Sequence, residues 1–129
     1  MATCRMIIAG GRDFDDYNYM TRSLEKVIEE YEDTTDFEVV SGMAEGADFL
    51  GIKFGFDYNF PVYPFEPKFY EYGKDAGIMR NIAMAEFAAK ADIPLLCVFW
   101  NGRSRGTKHM IETAELRGIK VNVFLYDQR

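Results

Sequence analysis

Val39-Val40-Ser41-Gly42-Met43-Ala44-Glu45-Gly46-Ala47-Asp48 is the stretch on which the reading of the chain turns. Phe37 to Val40 is short, apolar and β-prone, Ser41-Gly42 interrupts it, and the residues from Ala44 onward suit a helix. The expected path is strand, tight turn, helix, with small residues at the turn. Gly42 and Gly46 put no side chain between a ligand and the backbone amides. A helix start there offers unpaired N–H groups at the positive end of its dipole, which suits a phosphate. The spacing is neither G-x-G-x-x-G nor G-x-x-x-x-G-K-[ST]. A tight β–α connection that uses glycine only for its geometry accounts for the same residues.

Upstream, Arg5 to Ala9 is an apolar run ending at Gly10-Gly11, the pattern of a buried first strand. Asp15 or Asp16 is placed to cap a helix reaching about Tyr31, with Tyr17, Met20, Leu24, Val27, Ile28 and Tyr31 at helical spacing. Downstream, a helix is expected from about Glu45 to Tyr58, then a short third strand at Val62-Tyr63. Phe65 to Ala76 reads as a long irregular segment with four aromatics, Phe65, Phe69, Tyr70 and Tyr72. Gly77 or Ile78 to Lys90 reads as helix. Pro94 to Trp100 is continuously apolar, as in a strand buried on both faces. Asn101 to Gly106 is a turn, Thr107 to Arg117 a helix with Gly118 at its C-cap, and Lys120 to Leu125 the last strand.

This alternation predicts an α/β fold: one Rossmann-like domain over residues 1–129, with a mostly parallel five-stranded sheet and helices on both faces. In such sheets ligands bind beyond the carboxyl ends of the strands, where strand order reverses. Three turns are expected there, all rich in Gly, Ser, Thr or Arg. In the first, Gly10-Gly11-Arg12-Asp13, Arg12 can grip a phosphate or carboxylate in a fork, or pair with an acid on the surface. The second is Ser41 to Asp48. Asp48 can bond sugar hydroxyls, or pair with Arg12 and tie the two turns together. The third, Gly102-Arg103-Ser104-Arg105-Gly106-Thr107, sets a hydroxyl and amides at a helix start, and Ser104 or Thr107 also suits an N-cap. Arg80-Asn81, early in the third long helix, can reach the same pocket, Asn81 toward a base or ribose edge. Trp100 can stack on a base or serve as a rim aromatic, and His109 reads as a surface helix residue.

The totals narrow the function classes. A chain of 129 residues suits one domain with a real core. The net charge of −6 argues against bulk attraction to nucleic acid or an anionic membrane. One His and two cysteines, Cys4 and Cys97, form no zinc-type pattern, so no metal is expected. Two buried thiols in a reducing compartment are the simplest reading. No apolar run is long enough for a bilayer and no signal-peptide core is visible, so a cytoplasmic protein without a membrane partner is expected.

Ile7-Ile8-Ala9-Gly10-Gly11-Arg12-Asp13-Phe14, Ser41-Gly42-x-Ala44-x-Gly46-Ala47-Asp48, Gly77-x-x-Arg80-Asn81-x-x-Met84 and Gly102-x-Ser104-Arg105-Gly106-Thr107-x-x-Met110-Ile111 succeed one another along nearly the whole chain. In that order they resemble the YspA/YpsA-related branch of the SLOG superfamily, which joins the Smf/DprA and LOG ("lonely guy") proteins. The resemblance implies a Rossmann-like fold and a nucleotide-derived ligand related to NAD or ADP-ribose. It implies a sensor or processor of nucleotides, of the kind found in conflicts between bacteria and phages. LOG proteins cleave nucleoside 5′-monophosphates at the N-glycosidic bond, with a glycine-rich motif ending G-T-x-x-E and an earlier R-K-x-x-M. Here Asn81 replaces the lysine, and Met110 stands where the glutamate would be. Methionine can neither stabilise an oxocarbenium-like centre nor hold a water. Glu45, Asp48 and Glu112 remain as acids that can assist, and no catalytic residue is assigned.

The first expectation is therefore a module binding a small nucleotide derivative, with no cofactor otherwise assigned. Its expected contacts are Gly10, Gly11, Arg12, Asp13, Ser41, Gly42, Gly46, Ala47, Asp48, Arg80, Asn81, Gly102, Ser104, Arg105, Gly106 and Thr107. An N-glycosidase is the second reading. A homo-oligomer or partner-binding protein that uses the aromatic segment is the third. Binding to single-stranded DNA, known for DprA-type relatives, is disfavoured by the charge.

Overall fold

Alternate side chains of the two central strands point to opposite faces, and both faces are apolar. In β1 (Thr3–Gly10), Cys4, Met6 and Ile8 serve one core and Ile7 and Ala9 the other. In β4 (Ile93–Trp100), Leu95, Cys97 and Phe99 join the first core and Leu96 and Val98 the second. This is why Pro94 to Trp100 is apolar throughout: a central parallel strand has no solvent face. The computed structural model describes residues 1–127. Its strand order is β3-β2-β1-β4-β5, with β2 at Asp36–Ser41, β3 at Val62–Pro64 and β5 at Lys120–Leu125. All four strand pairings are parallel.

Four long helices close the two faces. α1 (Tyr17–Glu29) and α2 (Ala47–Asp57) cover one core through Met20, Leu24, Val27, Ala47 and Phe54. A four-residue helix, α3 (Phe69–Tyr72), and a 3-10 turn at Gly73–Asp75 precede α4 (Ala76–Ala89). α4 and α5 (Arg105–Glu115) cover the other core through Met84, Ala85, Ala88, Met110 and Ala114. The α/β, Rossmann-like architecture expected from the alternation is the one observed, with a fully parallel sheet. Cys4 and Cys97 are free and buried, and burial pushes the Cys4 thiol up to about 12.

The boundaries depart from expectation for local reasons. α2 begins at Ala47 rather than near Glu45, because Gly46 adopts φ 81° and ψ −126°, outside the helical region. α5 begins two residues earlier than expected, because Ser104 caps it. α4 starts at Ala76, and the segment read as irregular carries α3 and the 3-10 turn. Asp16 caps α1, its side chain accepting from the Tyr19 amide at 3.0 Å. No helix among the described residues is long and apolar enough to cross a membrane.

The order of the strands fixes where a ligand can sit. From β1 the chain moves outward to β2 and β3. It then returns across the sheet, through α4, to β4 on the other side of β1. The connections leaving the carboxyl ends of β1 and β4 therefore diverge to opposite faces, and a crevice opens between them.

Candidate functional site

A cavity of about 880 Å³ occupies that crevice. Its walls come from the end of β1, from Ala44 and Asp48, from α4 and from the β4–α5 turn. At the β1 end, Gly11 donates its amide to the Phe99 carbonyl at 3.0 Å, which binds the rim of β1 to β4. Arg12 and Asp13 follow and are exposed. Asp13 Oδ1 accepts from the Tyr126 hydroxyl at 2.6 Å. Arg12 forms no ion pair among the described residues and lines the cavity.

The β2–α2 turn is largely occupied with itself. Buried Ser41 donates its hydroxyl to the Asp48 carbonyl at 3.0 Å and accepts from the Met43 amide at 3.2 Å. The Ala44 amide donates to Asp48 Oδ2 at 3.2 Å, and the Ala47 amide to the Gly11 carbonyl at 3.2 Å. A Cβ on Gly46 would lie 2.3 Å from the Gly11 carbonyl oxygen. That glycine lets α2 dock against the β1 turn. A Cβ on Gly42 would lie 2.9 Å from both Arg80 Nε and Asp48 Oδ2, so Gly42 makes room for these two side chains. Ser41, Gly42, Gly46 and Ala47 thus stand behind the cavity wall, and only Ala44 and Asp48 of this stretch line it.

The β4–α5 turn has the opposite character. Asn101 Oδ1 accepts from the amides of Arg103 and Ser104, both at 2.8 Å, and the Trp100 indole donates to the Ser104 carbonyl at 3.1 Å. These bonds fix the turn by its outer side. Ser104 is the N-cap of α5, with a long 3.5 Å contact from the Thr107 amide. The amides of Arg105 and Gly106 have no acceptor among the described residues. They are the first two of α5, so they carry the positive end of its dipole. Arg103, Ser104, Gly106 and Thr107 line the cavity. Gly102 and Arg105 do not line it.

α4 supplies the third wall. Arg80 Nη1 donates to the Gly42 carbonyl at 3.2 Å and Nη2 to Asn81 Oδ1 at 3.3 Å, while its buried Nε has no partner. Asn81, 5% exposed, reaches across to α5. Its Nδ2 lies 3.1 Å from His109 Nδ1 and 3.5 Å from the Gly106 carbonyl. His109 is therefore half-buried at the α4–α5 seam rather than a surface residue. Trp100 closes its turn and does not reach the cavity.

Charge in the crevice is balanced toward anions. Arg12, Arg80 and Arg103 line it against the carboxyls of Asp13 and Asp48. Burial pushes Asp48 up to about 6, against the pull of the Ala44 amide, Arg80, the Gly10 amide and Arg12. Burial also lowers Arg80, opposed by Asp48. The two meet over Gly42 without a salt bridge among the described residues.

A relative, the "Gene 61 protein" of Mycobacterium phage D29, is 31% identical over 122 residues, which span 91% of this chain and 93% of the phage protein. The chain belongs to the Gene 61 protein family. No family model matches it, and no solved structure matches it.

This member of the Gene 61 family builds its cavity partly from residues outside the expected contacts. Ala9, Ala44, Met84, Asn101, Arg103 and Met110 line it. Met84 and Met110 are each 1% exposed and serve the core and the cavity floor at once. Asn101 carried a legible signal, since an Asn two and three residues ahead of turn amides is an Asx-turn former. Arg103 and Arg105 differ by two positions on either side of the cap. Sequence alone did not say that the one before Ser104 faces inward.

Proposed function

We propose that this chain is a binding module for a small nucleotide derivative of the NAD, ADP-ribose or nucleoside-phosphate type. In this reading a phosphate sits at the start of α5. The observation that carries it is the pair of unoccupied amides at Arg105 and Gly106, the second of which lines a crevice shared with Arg12, Arg80 and Arg103. Ser104 adds a hydroxyl and Arg103 a forked donor to the same anion. Asp48 and Asn81 lie deeper, where a carboxylate and an amide suit sugar hydroxyls. The resemblance of the motif order to the SLOG superfamily supports the same ligand class. Titration calorimetry against AMP, ADP-ribose and NAD is expected to show saturable binding to at least one of them. No heat from any of the three at millimolar concentration would contradict the reading.

One observation favours a hydrolytic alternative. Asp48 is buried in the cavity wall, and that burial pushes its carboxyl up to about 6, nearer to neutrality than an ordinary carboxylate. As the acid or base of an N-glycosidase it would release free base and ribose 5-phosphate from AMP. Product that appears with the native chain and vanishes with Asp48→Asn favours that alternative; a prolonged incubation without product excludes it for AMP.

A further inference from the structure

We infer that the ligand is bipartite and that its aromatic ring occupies a second, apolar cavity on the far side of Arg80; this inference rests on the anion reading above. The second cavity has a volume of about 620 Å³ and is lined by Met43, Phe65, Tyr72, Met79 and Ala83, with Arg80 as the wall it shares with the first. The two cavities differ in chemistry. Among the described residues no aromatic side chain lines the crevice, whereas Phe65 and Tyr72 line its neighbour together with Met43 and Met79. Rings and thioethers together make a favourable seat for a flat heteroaromatic group. A volume of this size, mainly apolar with a few polar groups at its edge, is typical of small-molecule sites.

The surrounding structure keeps this seat open. Phe65 is held at its back by Phe87, the ring centroids 5.6 Å apart, and its amide donates to the Ser41 carbonyl at 2.7 Å. Met43 reaches the cavity from a backbone at φ 61°, the left-handed region that a non-glycine residue adopts only under local constraint. That conformation carries the chain of the β2–α2 turn between the two cavities, with Ala44 on the polar side and Met43 on the apolar side. Arg80, fixed by Gly42 and Asn81, forms the divide. A ligand whose phosphate lies at α5 and whose ring lies against Tyr72 would cross that guanidinium.

The test compares AMP with ribose 5-phosphate, which share the anion and the sugar and differ in the ring. The native chain is expected to bind AMP at least about tenfold more tightly. Ala83→Phe, at an exposed position of α4 that projects a ring into the second cavity, is expected to bring AMP down to the affinity of ribose 5-phosphate and leave ribose 5-phosphate unchanged. Tyr72→Ala, which removes a wall instead of filling the space, is expected to weaken AMP alone. Equal binding of the two probes by the native chain, or equal weakening of both by Ala83→Phe, overturns the bipartite ligand while the anion site stands. Binding of neither probe overturns both.

Discussion

Two glycine-containing turns of this chain look alike in sequence and behave oppositely in the fold. The β2–α2 turn spends its polar groups on itself: Ser41 on Asp48 and Met43, Ala44 on Asp48, Ala47 on Gly11. The β4–α5 turn is braced from outside by Asn101 and Trp100 and leaves the first two amides of α5 without an acceptor among the described residues, with Gly106 on the crevice. A glycine at a helix start therefore has two uses. Gly46 serves close packing of backbone on backbone. Gly106, where an added Cβ would have no neighbour within 4 Å, leaves space for something else. The difference lies in what surrounds the turn, and that depends on strand order.

The largest expected effect separates these two glycines. Gly46→Ala forces a Cβ onto the Gly11 carbonyl at a positive φ, so we expect a loss of about 2–4 kcal/mol in urea unfolding. Gly106→Ala meets no atom and sits in a helix, so its stability should stay within about 1 kcal/mol of the native chain. Similar losses at both positions would erase the contrast.

Asp48 provides the next largest effect, through pH. Burial raises its carboxyl to about 6, above the roughly 3.9 of an unfolded chain, so the folded state holds the proton more tightly. Its contribution is fully present below about pH 4 and is lost as pH rises through about 6. Asp48→Asn does not titrate. The native chain should therefore lose about 2 kcal/mol relative to that variant between pH 4 and 7, measured by urea unfolding at each pH. A difference independent of pH would mean that the carboxyl is not held in the way its burial implies.

The smallest effects separate support from contact. Ser41→Ala removes a buried hydroxyl with two partners and should cost about 1–2 kcal/mol of stability, with AMP affinity nearly unchanged. Arg103→Ala removes an exposed cavity residue. Stability should shift by no more than about 0.5 kcal/mol, while AMP affinity should fall about tenfold. Calorimetry of the two variants against AMP, beside their unfolding curves, checks both halves. The reverse pattern would move the binding role to the β2–α2 turn.

Much of the fold was legible because its signals are local and repeated. The apolar run Pro94–Trp100 announced a strand without a solvent face, and the spacing Met20, Leu24, Val27 announced a helix face. Ends were harder to read. The start of α2 depends on the backbone angle of Gly46, and that of α5 on whether Ser104 or Thr107 caps. The crevice was legible as a meeting of turns, and Arg12, Asp13, Asp48, Arg80, Asn81, Ser104, Gly106 and Thr107 do share it with Gly10 and Gly11. What the sequence could not show is which amides the fold had already used. That depends on contacts between residues far apart in the chain, such as Gly11 with Ala47. The role of His109 was hidden for the same reason, since its partner Asn81 lies 28 positions away.

The central claim is that the open start of α5, and not the turn before α2, receives the anion. Amide chemical shifts of the ¹⁵N-labelled chain, followed during titration with AMP, test it most directly. The account predicts the largest saturating shifts at Arg105 and Gly106, with Ala44 and Ala47 little changed because their N–H groups are already bonded. Dominant shifts at Ala44 to Ala47, with Arg105 and Gly106 unmoved, would contradict it.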